Sequence, residues 1–343
     1  MMRRALIYAL VGLGLPWAAA ACAQGPRAHL HQMLESELEN YMSVSIVGGR
    51  ISGHMTNDAG MQSSSESDSE GVSERFSIAS NDGGGEIRYE RTSKEDKFTV
   101  EITSNEHFSL RSKQKGKSSG PSIQFEQTPG QPLVLSIERG GREKTYRAPS
   151  LWHLFLAQPD ECWKLLFPAL EFLPCHAKMT HIAVDLEPEL LKAAANSKPP
   201  DRQRWIKLVQ QLGDNEYGKR ETADRALRAA DPSVIFFLQH LDVDQLDAEQ
   251  QFRVRRIVQA FHATASADTA SQIASRLVAD PSVWISLLNR PEESTRRAAA
   301  KQLASLLGEP IGVDPAADPA TQQGQREQLR SRIERATSTS GKP

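Results

Sequence analysis

Cysteine is scarce in this chain, charge of either sign is not in excess, and several familiar catalytic signatures are missing. Three of the 343 residues are cysteine, and the formal net charge is −2. So even a balance gives no electrostatic ground for a nucleic-acid partner. The Walker loop, H-E-x-x-H and C-x-x-C do not occur. Their absence removes the sequence marks of P-loop NTPases, zinc peptidases and dithiol oxidoreductases. A scattered triad is recognised by geometry and leaves no such mark. His153, between Trp152 and Leu154, reads as a satisfied core histidine rather than a catalyst. Metal ligands are also wanting. Cys175, His176, His181 and Asp185 follow one another in a spacing that fits no zinc site. His29 and His31 would point in different directions on a helix. The expectation is a protein with no catalytic residues, no cofactor and no metal.

What is present begins with an export signal. Arg3 and Arg4 precede an apolar run, 5–21, which ends in Ala21-Cys22-Ala23. Basic, apolar and small-residue regions in that order predict a secretory signal over 1–23, cleaved before Gln24. The destination is the periplasm or cell envelope. A retained anchor is the alternative, but the run is short for a spanning helix. A lipid carried on Cys22 is another, although Ala19 stands where the lipobox of bacterial lipoproteins prefers Leu. No stable membrane span is expected after processing.

Removal of the signal leaves Cys162 and Cys175, and an exported pair predicts a disulfide. A straight helix would hold them ~20 Å apart, so the bond requires a turn, for which Pro168 and Pro174 supply breaks. Two buried free thiols are the alternative.

The chain is 39% hydrophobic and 24% charged, which suits a globular protein of about two domains. A stripe of Leu30, Met33, Leu34 and Leu38 predicts a helix over 27–41. From 42 to 148 the apolar period becomes two, with Gly-rich turns between short runs, which predicts an antiparallel sheet. In 97–103, Phe98, Val100 and Ile102 alternate with Thr99, Glu101 and Thr103, so one face is buried and one is wet. The Ser-rich, acidic segment 57–72 reads as a mobile loop, and the basic segment 111–120 as a solvated hairpin tip. The apolar segment 150–173 reads as two helices broken at Gln158-Pro159-Asp160, closing the sheet's core.

After 201 three helix pairs can be aligned. The pentapeptide ADPSV opens two of them, at 230–234 and 279–283. Asp before Pro is a helix start, so Asp231 and Asp280 are expected caps. Second-helix stripes recur as Ala223, Ala226, Leu227, Ala230, then Val254, Ile257, Val258, Phe261, then Ala300, Leu303, Ala304, Leu307. Such pairs bury their apolar faces only by stacking. Over about 200–308 the chain resembles HEAT- and armadillo-like helical repeats. Its overall layout also resembles exported proteins of planctomycete-type bacteria.

The expected fold class is therefore α+β: an antiparallel sheet domain covered by helices, followed by an all-α HEAT-like repeat domain. The expected limits are 24–193 for the sheet domain, 194–203 for a linker and 204–310 for the repeats. A Pro-rich loop, a polar helix and a disordered tail fill 311–343. The expected function is a non-catalytic interaction or scaffold protein with a protein partner. Arg220, Arg253, Arg296 and Arg297 on the second helices form its candidate surface. The alternative is a carrier that holds a hydrophobic ligand between sheet and helices.

Overall fold

The computed structural model describes residues 41–339 apart from 57–61, 70, 82–83, 105–106, 116–119, 197–200, 231–233, 240, 242–244, 264–268 and 308. The segment 1–23 expected as an export signal, Asp231 and, but for Tyr41, the helix expected over 27–41 lie outside the described residues. Among the described residues no helix is long and apolar enough to cross a membrane.

The fold is α+β. The strands are β1 (Met42–Val47), β2 (Arg50–Met55), β3 (Gln62–Ser69), β4 (Val72–Asn81) and β5 (Gly84–Thr92). They continue as β6 (Asp96–Thr103), β7 (Phe108–Gln114), β8 (Ser122–Gln127), β9 (Leu133–Arg139) and β10 (Arg142–Ala148). Strands β3 to β10 form one antiparallel meander in the order β10-β9-β8-β7-β6-β5-β4-β3. Period-two patterning decides its faces. Ile78, Ile87, Val100, Leu110, Phe125 and Leu135 point inward and are buried. The opposite face carries cross-strand rows such as Arg75, Glu90, Thr99, Arg111, Gln124 and Ser136. The segment 57–72, expected as a loop, contributes β3. Pairing with β4 satisfies the backbone groups on that side, and an edge strand polar on its exposed side needs no apolar pattern.

Strands β1 and β2 form a separate hairpin that lies across the sheet's inner face near β5 and β6. Its turn has two glycines at positive φ, Gly48 at 59° and Gly49 at 74°, as a two-residue hairpin turn requires. Gly49 also lies close to α1, because a Cβ there would stand 2.7 Å from Trp152 and 2.8 Å from Ser150. The buried Gln127 side chain fastens the hairpin to the sheet. Its Nε2 donates to Ile51 O at 2.6 Å and its Oε1 accepts from Ile51 N at 2.9 Å.

Among the described residues ten longer helices follow: α1 (Leu151–Ala157), α2 (His176–Asn196), α3 (Arg202–Gln211), α4 (Tyr217–Arg228) and α5 (Val234–Gln239). They continue as α6 (Ala248–Ala263), α7 (Ala270–Leu277), α8 (Pro281–Leu287), α9 (Glu293–Leu307) and α10 (Pro319–Thr339). Between α1 and α2 come two short helical turns and a π turn, Cys162–Leu166, so the break expected at Gln158-Pro159-Asp160 is present. Asp280 caps α8, with Pro281 at its first position and Ser282 N donating to Oδ1 at 2.7 Å. The ADPSV reading therefore holds at 279–283.

The buried clusters do not follow the limits 24–193 and 204–310. One cluster joins the sheet's inner face to α1, α2, α7, α8 and α9, and reaches Ile311 and Leu329. A second is confined to α3–α6 and holds Trp205, Val209, Leu212, Ala223, Leu227, Val234, Ile235, Leu238, Val254 and Ile257. The third expected helix pair, α8 with α9, thus belongs to the sheet's core. Helix α7, which the repeat alignment passed over, lies against α2.

Candidate functional site

The four arginines expected to form a surface are placed differently by the fold. Arg253 is buried between α4 and α6. Its Nη1 donates to Glu221 at 2.8 Å and its Nε to Glu249 at 2.6 Å, and Asp224 lies at 3.8 Å. Arg220 is half-buried. It donates to the Asp214 carbonyl at 2.7 Å and to the Asn215 carbonyl at 3.1 Å, which ties off the turn before α4. Arg296 donates to the carbonyls of Pro315 at 2.9 Å and Arg290 at 2.9 Å, and so holds the chain after α9 against the start of that helix. Arg297 alone is well exposed, with an i,i+4 partner in Glu293. The correction follows from guanidinium chemistry: a planar five-donor group satisfies loop carbonyls beside helices, as Arg220 and Arg296 do, or carboxylates, as Arg253 does.

Cys162 and Cys175 stand as free thiols, so the disulfide expected between them is not formed in the structure. Cys162 is fully buried where the π turn starts, and Cys175 is partly buried before α2. Burial pushes the Cys162 thiol up to about 12 and the Cys175 thiol up to about 11. Neither forms thiolate readily, so native alkylation at pH 8 should be slow and should become rapid only on unfolding. Mass mapping without reductant checks this. A linked pair of peptides would restore the disulfide.

Sequence reading passed over a three-residue line between the sheet unit and α8. His153 Nδ1 lies 2.7 Å from Ser150 Oγ, and His153 Nε2 lies 2.8 Å from Asp280 Oδ2. A carboxylate only accepts, so Nε2–H donates to it, and a neutral ring leaves Nδ1 to accept from the serine hydroxyl. The atoms resemble a nucleophile triad, but the surroundings do not serve one. Ser150 caps α1 by accepting from His153 N, and it is buried with the Gly49 backbone against it. Asp280 is fully buried and caps α8 with its other oxygen. The line joins two helix N-termini, in keeping with the reading of His153 as a satisfied histidine. The signal for it was half visible: Asp280 was legible as a cap, its partner was not. Among the described residues no group of three His, Cys, Asp or Glu could hold a metal ion.

The α4–α6 side offers a different arrangement. Tyr217, at the first turn of α4, is 65% exposed, and Phe252 on α6 is 58% exposed. Between these helices runs the lattice of Arg220, Glu221, Asp224, Glu249 and Arg253. The Arg220 guanidinium lies 5.6 Å from the Tyr217 ring centroid. Glu221 is held below the usual carboxylate range by its hydrogen bond from Arg253, then by the charges of Arg253 and Arg256. Two aromatic side chains thus stand in solvent beside a polar lattice that restrains the helices carrying them. Comparison with protein-family models, curated proteins and solved structures found no match to this chain.

Proposed function

We propose that this is an exported, non-catalytic interaction protein. Its HEAT-like second helices, α4 and α6, would carry the docking face, with Tyr217 and Phe252 as anchors. The observation that carries this reading is the pair of exposed aromatics on neighbouring helices that share a core and an ion-pair lattice. Aromatic side chains beside arginine dominate the energetics of protein interfaces. A restrained scaffold also lowers the ordering cost of association. Tyr217 and Phe252 expose most of their rings, apolar surface that a partner would cover.

The carrier alternative requires an apolar space between sheet and helices. Side chains occupy that layer. Phe98 meets Phe172 edge-on at 5.9 Å, and Phe155 stacks on Phe167 at 5.7 Å, both centroid distances. This weighs for the interaction reading.

The test uses a photo-crosslinking amino acid in place of Phe252, with a second at Gln124 on the sheet's open face as control. A single partner adduct is expected at Phe252 and none at Gln124. With the partner in hand, Tyr217→Ala and Phe252→Ala should each weaken binding about 30-fold, as a hot spot of ~2 kcal/mol does. Both variants should melt as the parent does. Stoichiometric lipid extracted from the protein purified from its native host would favour the carrier and sink this reading.

A further inference from the structure

The face that carries Tyr217 and Phe252 is charged as well as aromatic. Helix α4 has four cations and two acids, and α6 has three cations and one acid. The two helices are thus positive by four in a chain whose net charge is −2. All three acids are already held by arginines of the same helices. Glu221 and Glu249 accept from Arg253 at 2.8 Å and 2.6 Å, and Asp224 accepts from Arg228. Arg225, Arg255 and Arg256 are left over. Each is exposed and has no carboxylate in ion-pair contact among the described residues. Arg225 and Arg255 turn their Nε to carbonyls of their own helices, Glu221 O at 3.3 Å and Gln251 O at 3.2 Å.

The left-over arginines stand beside the exposed rings. Arg255 and Arg256 follow Phe252 at i+3 and i+4, so they flank it on the surface of α6. Arg256 also acts on the charge of Glu221, which places it on the side of α6 toward α4. Arg225 follows Glu221 by one turn of α4, as Glu221 follows Tyr217. From this juxtaposition we infer that the partner segment taken by this face is an acidic peptide, in which carboxylates alternate with apolar side chains. The inference rests on the docking reading above and names the chemistry of its partner.

Each half of that chemistry has its reason. A guanidinium meets a carboxylate with two parallel hydrogen bonds, so an arginine without an internal partner is matched best by an acid from outside. Apolar side chains of the peptide cover Tyr217 and Phe252 between those contacts. A nucleic-acid backbone fits less well. Its phosphates follow one another without interruption, and Glu221 and Glu249 interrupt the arginines of this face. A peptide can set a neutral residue opposite each of them.

The experiment is fluorescence anisotropy with the purified full chain and labelled peptides that alternate Leu and Phe with Glu, with Gln or with Lys. The Glu peptide should bind at least about tenfold more tightly than the Gln peptide, and the Lys peptide should not bind. Binding of the Glu peptide should weaken as salt is raised. The triple change Arg225→Glu, Arg255→Glu, Arg256→Glu should invert the order, so that the Lys peptide binds and the Glu peptide does not. Inversion also excludes misfolding as the cause of the loss. Arg142→Glu, on β10, should leave the order unchanged. A Gln peptide that binds as tightly as the Glu peptide overturns the inference, and so does a charge-reversed chain that does not come to prefer the Lys peptide. Oligothymidylate that binds as tightly as the Glu peptide overturns it equally, because the face would then accept any polyanion. The docking reading is judged separately, by the photo-crosslinker at Phe252. An adduct that survives the triple change leaves that reading standing and sinks the acidic partner. Glu-peptide binding without any adduct in the parent sinks the docking reading while the acidic preference of the face stands.

Discussion

Replacing Trp284 with alanine is expected to remove about 3–5 kcal/mol, a large share of a domain's ~5–15 kcal/mol. Trp284 is among the largest fully buried side chains. Its Nε1 donates to Val278 O at 2.8 Å, and Gln302 Nε2 donates to the same carbonyl at 3.2 Å. The loss therefore has two parts: a cavity the size of an indole, and one of the two bonds that close the end of α7. Trp284→Phe fills most of the cavity and leaves the Gln302 bond, so it should cost ~1–2 kcal/mol.

Where the damage spreads matters more than its size. If the helices after 203 formed one module, trypsin would clear them first and leave a fragment ending at Lys192 or Arg202. The buried cluster places Trp284 with the sheet instead. Hydrogen exchange should then rise together in α8, α9 and the central strands β5, β6 and β8, because elements sharing a core open as a unit. Amides of α3 and α4, which belong to the second cluster, should keep more of their protection. Sheet amides that stay protected while α3–α6 loosen would defeat the shared-core description.

Asp280→Ala is expected to be the next most damaging change, at about 2–5 kcal/mol. It removes the α8 cap, worth ~0.5–2 kcal/mol, and strands the Nε2–H of His153, whose bond to a carboxylate is worth ~1.5–3 kcal/mol. Asp280→Asn provides the discriminating control. An amide oxygen can still cap α8. Its Nδ2 can donate to His153 Nε2 if the ring shifts its proton to Nδ1 and donates to Ser150 Oγ. The Asn change should therefore cost about 1 kcal/mol or less in urea unfolding. Equal losses for Asn and Ala would mean that the buried charge, not the hydrogen-bonded line, holds this junction. A cycle with His153→Ala should return a coupling of ~1–3 kcal/mol, as expected for residues in one network.

The sequence by itself determined the local features. Alternation over 97–103 specified which face of the sheet is buried, because side chains on a strand alternate sides whatever the strand lies against. Glycine pairs marked hairpin turns, since positive φ is steric and local. Asp280-Pro281 marked a helix start because capping involves only the first turn. Only the tertiary structure decided which apolar stripes share a core. The stripe on α9 resembles those on α4 and α6, yet its Leu303 is buried with the sheet and their Leu227 and Ile257 with each other. A stripe states that a face must be covered and does not name the cover. The same holds for the polar groups. Arg253 and Arg296 looked like surface charges because spacing along one helix says nothing of Glu221 on a neighbouring helix or the Pro315 carbonyl in a later loop. The His153–Asp280 bond joins residues 127 apart in the chain. Strand β3 went unread because a polar edge strand owes its existence to the hydrogen-bonding row of β4, not to its own side chains.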